Sequence, residues 1–306
     1  MAKPPQRRNP PRRAVSGVLF LDKPVGISSN NALQKARWLL NAAKGGHTGT
    51  LDPMASGLLP LTFGEATKFS QTLLDADKAY DATVLLGVTT TTADAEGEVL
   101  ARCPVDASDE AIEAAVARLR GDIEQVPPMY SALKHHGKAL YEYAREGVEI
   151  PREPRRVTIH SLECLGREGD SLQIRVACSK GTYVRTLASD LGAMLGCGAH
   201  LTALRRTRIG PFDLAGTVTL GDFEAMEAEA RDACLAPVEA LLAHLPTCGL
   251  DAEQARAFTH GQSAQGVGGD AGSLFRVYEG ERFLGVGSAD GQAKLVPIRL
   301  MATGNQ

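Results

Sequence analysis

The sequence predicts an α+β fold in which one large domain carries a small β domain toward its C-terminal end. Three features lead there. Residues 172–178 alternate apolar and polar side chains with period two, the pattern of a half-buried strand. Residues 108–119 instead place Ile112, Val116 and Leu119 at helical spacing. After Cys248 the texture changes to a short helix and glycine-rich strands, which predicts a separate small unit. At 306 residues the chain is long enough for both.

Composition narrows the function classes. Hydrophobic residues make up 43% and charged residues 23%, ordinary for a soluble globular protein. No apolar run approaches the roughly 18 residues of a membrane span. The opening MAKPPQRRNPPRR has no apolar core, so it does not read as a secretory signal. Cys103, Cys164, Cys178, Cys197, Cys234 and Cys248 form no CxxC pair and no metal-spaced cluster. The expectation is reduced thiols in a cytoplasmic protein without structural zinc. Net charge is −3, yet Lys3, Arg7, Arg8, Arg12 and Arg13 crowd one end, and more cations lie at 134–156 and at Arg205, Arg206 and Arg208. Local basic patches on an acidic chain suit docking of one polyanion. For any single cluster, a solvated face is the plainer reading.

In chain order, residues 1–15 are Pro- and Arg-rich and read as a disordered basic tail. A short strand over 17–21 ends at the turn Lys23-Pro24-Val25-Gly26. Ser28 or Ser29 caps a helix to about Ala43, with Leu33, Ala36 and Leu40 on one face. A glycine-rich loop is expected over 44–70, then a strand over 80–86 and a polar turn over 89–94. Aromatic and basic residues interleave over 121–154, as on a surface that stacks bases and neutralises phosphates. The strand at 172–178 leads through Ser179-Lys180-Gly181-Thr182-Tyr183 into a helix with Leu187, Leu191, Met194 and Leu195 on one face. Residues 217–244 read as helical, with Pro237 near a helix start. Beyond them come a helix at 252–260 and strands at 274–279, 283–288 and 294–300.

The chain is organised around Gly49-Thr50-Leu51-Asp52-Pro53-Met54. Glycine supplies unusual φ values, and Pro53 disfavours the α region at Asp52. Asp52 is thus a carboxylate displayed on a shaped turn, fit for a nucleophile, a general base or a helix cap followed by Pro. Arg185 is a surface ion-pair former or, beside Asp52, the cation that keeps it ionised. Tyr80 and Tyr183 are packed aromatics or a platform and proton carrier for an extruded base. Ser131-Ala132-Leu133-Lys134 matches S-x-x-K, but the hydrolase partners S-D-N and K-T-G are absent. The phosphate-loop pattern G-x-x-x-x-G-K-[ST] is missing as well.

Four stretches carry a resemblance. They are GGHTGTLDPMASGLLPL with GEATKF (45–69), DKAYDATVLLG with its Thr/Asp-rich sequel (77–94), QVPPMYSALKHHGKALYEYAREG (125–147) and SKGTYVRTLASDLG…GCGAHLTALRRTRIG (179–210). Together they closely resemble the TruB family of tRNA pseudouridine synthases and cover most of 17–216. The resemblance implies isomerisation of uridine 55 in the T loop of tRNA, without metal or organic cofactor. It implies a mixed, largely antiparallel sheet in a catalytic domain over 16–247, an RNA-clamping insertion at about 124–152, and a PUA-like β domain over 248–306. By the same resemblance Asp52 is the nucleophile, Tyr80 stacks on the base and assists proton removal, Arg185 pairs with the aspartate, and His47 helps flip the uridine. Tyr183 and Leu204 line the nucleotide, and Lys23, Gly49 and Thr50 complete the expected substrate-binding set. Lys134, His136, Lys138, Arg145 and Arg205 are expected to touch RNA. The expected partner is the T stem-loop, with no membrane and no obligate protein partner, for a monomer.

The tail lies outside the resemblance. Removing residues 1–15 is expected to weaken RNA binding mainly at low salt. A loss that persists at high salt contradicts a purely electrostatic role.

Overall fold

The computed structural model describes residues 11–302. The larger sheet uses strands β1 (Gly17–Lys23), β2 (Gly45–His47), β3 (Ala55–Phe63), β4 (Lys78–Leu86), β5 (Gly121–Gln125), β6 (Arg155–Glu168), β7 (Ser171–Cys178), β8 (Ala199–Ile209) and β9 (Val218–Thr219). Their order is β9-β1-β3-β8-β4-β7-β6-β5, with β2 on β3 and Phe212–Asp213 on β8. Only β1/β9 and β3/β8 are parallel, so the sheet is mixed and largely antiparallel. Helices α1 (Ser29–Leu39), α2 (Asp109–Arg118) and α4 (Val184–Met194) belong to the same part of the chain, with the short α3 (Leu140–Arg145) between α2 and α4. Ala32, Leu33, Ile112, Val116, Leu187 and Leu191 pack with Ala82, Val84, Ile174 and Val176 in one core. No described helix is long and apolar enough to cross a membrane.

Local chemistry starts and stops these elements. Ser28 caps α1 by accepting from the Asn31 N–H, and Ser108 caps α2 by accepting from Ala111. The first helix ends at Leu39 rather than near Ala43, because Asn41 turns to φ 50°. The expected loop at 44–70 is half strand. β3 is almost wholly buried, so its apolar run gives no period-two alternation. Thr89 and Thr90 extend a short strand, Val88–Thr90, against Val99–Arg102, and the polar turn lies beyond them. The helical reading of 217–244 resolves into two six-residue helices and the 3-10 turn Val238–Leu242 that Pro237 opens. Met194 leaves the apolar face of α4 and is exposed.

The tail expectation needs shortening. Residues 1–10 lie outside the described residues, but 11–15 are tied down. Arg13 pairs with Asp232 at 2.6 Å, bridges to Ala42 through its backbone, and leads into the buried Val15.

A second sheet of five strands uses β10 (Thr247–Gly249), β11 (Ala264–Gln265), β12 (Leu274–Glu279), β13 (Arg282–Ala289) and β14 (Lys294–Leu300), with α5 (Ala252–Thr259) packed on it. It meets the larger sheet through an apolar cluster that joins Val18, Leu58, Phe69 and Ile209 to Phe283 and Val286. Lys68 clamps the junction, donating to Glu65 at 2.7 Å and to the Leu300 carbonyl at 3.0 Å. All six cysteines are unpaired.

One backbone approach positions the site. Gly57 in β3 holds φ +101°, and a Cβ there would sit 2.2 Å from the Arg206 carbonyl oxygen of β8. Gly57→Ala should therefore lower stability by at least about 1–3 kcal/mol from the strained φ alone, with the overlap adding to it. Urea unfolding of the variant against wild type checks this, and an unchanged midpoint would refute it.

Candidate active site

Asp52 is not a helix cap. The turn at Pro53-Met54 runs into β3, and the Asp52 carbonyl accepts from the Ala55 N–H at 3.1 Å. The loop before it is pinned from three sides. Ser29 Oγ accepts from the Leu51 N–H at 2.7 Å and donates to the Leu51 carbonyl at 3.0 Å. The Gly26 N–H reaches the Pro53 carbonyl at 2.8 Å. Arg206 Nη2 reaches the Gly49 carbonyl at 3.3 Å. A carboxylate on a turn so restrained keeps its geometry without help from a ligand.

Arg185 enters from the first turn of α4 and is the hub of the site. Its Nε meets Asp52 Oδ2 at 3.0 Å. Nη1 donates to the Thr92 carbonyl at 3.1 Å and faces Asp94 Oδ2 at 3.5 Å. Nη2 donates to the Tyr130 carbonyl at 2.6 Å. Asp94 is buried and itself held by the Glu96 N–H at 3.0 Å. One guanidinium thus joins the Asp52 loop, the 91–98 turn and the segment that carries Tyr130.

Burial, more than charge, sets the electrostatics. It pushes the Asp52 carboxyl above the usual aspartate range; Arg185 and Lys23 oppose the shift and Asp94 adds to it. Arg185 therefore limits a rise that it does not reverse. Burial likewise raises the Tyr80 and Tyr183 phenols. Glu96 is raised by burial and by its acidic neighbours Asp94 and Asp52. Lys23 falls to about 8 through burial.

These groups surround a cavity of about 360 Å³, inside the usual range for small-molecule sites. Its walls include Asp52, Tyr80, Arg185, Tyr183, Leu204, Gly49 and Thr50, so seven of the expected site residues meet there. Ser131, Ala132 and Leu133 of the insertion close one side. Lys23 and His47 stand behind the wall. Lys23 is fully buried and donates to the Pro24 and Ile27 carbonyls, both at 2.8 Å. His47 Nδ1 is buried without a hydrogen-bond partner, and burial lowers its pKa.

The expected RNA-contacting cations are elsewhere. Lys134, His136 and Arg145 are exposed on the insertion, away from the cavity. Arg145 lies over the Tyr141 ring at 5.2 Å, and Lys138 pairs with Glu146 while sitting 4.5 Å over Tyr143. Arg205 also lies outside the cavity. It pairs with Asp81 of β4 in register and faces away from the cavity, where its side chain binds Asp22 at 2.6 Å. Its neighbour Arg206 is the arginine that reaches the site, because side chains alternate along a strand. The S-x-x-K alternative also fails. Ser131 is buried with no partner on its hydroxyl, and Lys134 is exposed, so no base activates that serine.

Sequence reasoning missed Ser29, Lys78, Asp94 and Arg206. Lys78 lines the cavity and donates to the carbonyls of Leu73, Leu74 and Ala76. Asp94 stood in the Thr/Asp-rich turn, where its acidity alone gave no sign of its partner. Among the described residues no cluster of three or more His, Cys, Asp or Glu side chains could hold a metal ion.

The cavity thus joins a carboxylate braced by an arginine to a buried tyrosine on one mixed sheet. Residues 37–184 match the TruB family pseudouridylate synthase N-terminal domain. Residues 185–243 match the tRNA pseudouridylate synthase B C-terminal domain, and 246–301 match the C-terminal domain of pseudouridine synthase II TruB. The chain belongs to the TruB family. It is 64% identical to the tRNA pseudouridine synthase B of Aromatoleum aromaticum, over 95% of this chain and 94% of that protein. It is 60% identical to that of Azoarcus sp. strain BH72, over 97% and 98%. Among solved structures, a Cbf5-Nop10-Gar1 complex contains a chain with TM-score 0.70 and 29% identity, over 94% of this chain and 84% of that one.

The raised Asp52 pKa has a stability consequence. The ionised carboxylate costs folding free energy at neutral pH, and the cost disappears as pH falls below the unfolded value of about 3.9. Asp52→Asn should therefore melt above wild type near pH 7, with the difference vanishing near pH 4. Thermal unfolding at both pH values checks this, and a variant that melts lower at pH 7 would show that the Arg185 pair outweighs burial.

Proposed function

We propose that this chain converts uridine 55 in the T loop of tRNA to pseudouridine. The single observation that carries the assignment is the Arg185 bridge to Asp52 at 3.0 Å, set against Tyr80 across the cavity. Binding alone needs neither a braced carboxylate nor a buried phenol. The homologues' name, tRNA pseudouridine synthase B, supports the substrate.

In this reading the target base leaves the T-loop stack, at a cost of about a few kcal/mol. It enters between Tyr80 and Leu204. Asp52 is the nucleophile that assists cleavage of the N1–C1′ bond. The freed uracil turns against the aromatic face and rejoins C1′ through C5. Tyr80 takes the proton from C5, and N1 gains one from water, so the product is an isomer of the substrate. Arg185 keeps Asp52 in its reactive charge state, and Tyr183 walls the base.

The insertion at about 124–152 clamps the RNA with Lys134, His136 and Arg145. His47 and Lys23 support the Asp52 loop from behind while the nucleotide enters past Gly49 and Thr50. The catalytic domain spans 16–247, and 248–306 forms a PUA-like second unit. The protein works as a monomer in the cytoplasm and requires no cofactor.

Wild type and Asp52→Asn should be compared on a T-stem-loop RNA, scoring pseudouridine and binding in parallel. The expected result is retained binding with no detectable product for the variant. Full turnover by Asp52→Asn would overturn the assignment, and binding without product by wild type would make the chain an RNA-binding module. Tyr80→Phe should likewise bind RNA and lose turnover by about 10²–10⁴-fold, the usual worth of a proton acceptor.

A further inference from the structure

Arg206 is one of the largest fully buried side chains in the molecule. No carboxylate among the described residues pairs with it. Its Nε donates to the Leu58 carbonyl at 2.8 Å and its Nη2 to the Gly49 carbonyl at 3.3 Å. A buried guanidinium without a counter-ion is costly, and such a group persists when something at the site requires its charge. The third neighbour is Tyr80. Arg206 and Tyr80 are register partners on β8 and β4, so both side chains point into the cavity.

We propose that Arg206 is the positioning residue for Tyr80, fixing the phenol oxygen at the cavity wall and supplying the countercharge when that oxygen is a phenolate. The proposal rests on the assignment of Tyr80 as proton acceptor, and it names what makes the acceptor basic. A neutral phenol cannot take a proton from carbon. The phenolate takes the C5 proton, the C–H electron pair returns to the ring, N1 is protonated by water, and the neutral phenol gives its proton back to solvent before the next turnover. Arg206 favours the charged form in the dry pocket, where burial alone opposes it.

The surrounding charges agree with this. Lys23 from β1, His47 from β2 and Lys78 from β4 all face Arg206, and its charge adds to the depression of each. Lys78 falls to about 8. Asp52 from the loop faces Tyr80 and opposes its ionisation, whereas burial pushes the nearby Cys178 thiol of β7 up to about 11, so it stays neutral and adds no charge. Arg206 is the cation that this set presents to the phenol. The Gly49 contact gives it a second task, since the same guanidinium holds the start of the Asp52 loop.

The test uses the full chain and a T-stem-loop RNA carrying 5-deuterouridine at the target position, in single-turnover reactions across pH 6–9. Arg206→Lys keeps the charge and loses the forked contacts, whereas Arg206→Met loses both. Both should bind RNA within about twofold of wild type. Turnover should fall about tenfold in the lysine variant and about hundredfold or more in the methionine variant, the latter within the usual span for acid–base catalysis. In both, the deuterium effect should grow and the rising limb of the pH–rate profile should move to higher pH, further for methionine. The phenolate absorbance lost in Tyr80→Phe should titrate at higher pH in Arg206→Lys than in wild type.

Lower activity with an unchanged isotope effect, pH profile and phenolate titration would overturn the proposal and leave Arg206 as scaffold. So would equal losses in both variants accompanied by lost RNA binding. If Arg206→Met does not fold, Arg206→Lys alone decides, through the pH profile and the titration. A Tyr80→Phe enzyme with normal turnover would instead remove the proton acceptor itself, a failure of the underlying assignment that is distinct from a normal Arg206→Lys profile.

Discussion

The site depends on one side chain's ability to make several directed contacts at once. The Arg185 guanidinium is planar and permanently charged, so its donors leave in fixed directions. One set holds Asp52, a second meets Asp94 and the Thr92 carbonyl, and a third takes the Tyr130 carbonyl. A lysine would offer a point charge and could not tie three chain segments in one plane. Because Asp94 shares the positive charge, Asp52 is not fully neutralised by its partner. Burial then leaves it less acidic than an ordinary aspartate, at a cost to stability when it is ionised.

Around that hub the sheet acts as a mounting plate. The parallel contact of β3 with β8 brings the start of β3, just after Asp52, beside Leu204 and Arg206. The antiparallel contact of β8 with β4 brings Tyr80 beside Arg206. The first contact depends on Gly57, where the backbones of β3 and β8 come closer than any side chain permits. The fold therefore places two cationic side chains, from a helix start and from a central strand, in the wall of one small cavity.

Much of this was legible in the sequence. Alternation at 172–178 and helical spacing at 108–119 reported their elements because each buries a single face. β3 was hidden because it buries nearly every residue, which erases the period. The long β6 and β8 were hidden by irregular pairing, since both carry register shifts that break the alternation. Asp52, Tyr80 and Arg185 stand in the family motifs, and the structure brings all three to one cavity. Arg205 and Arg206 look alike in sequence, and only strand register tells which of the two faces the cavity. Asp94 and Ser29 act through partners remote in sequence, and no local pattern announces a remote partner.

The second sheet shares its interior with the first. Phe69 and Phe283 face each other at 5.8 Å, within a cluster that also draws on Val18, Ile209 and Val286. Apolar area buried across a junction is lost to both sides when either opens. The two halves should thus melt in one cooperative transition, and a chain cut near residue 247 would present Phe69, Leu73 and Ile209 to water. What looks in sequence like an appended module is, in folding terms, a wall of the same house.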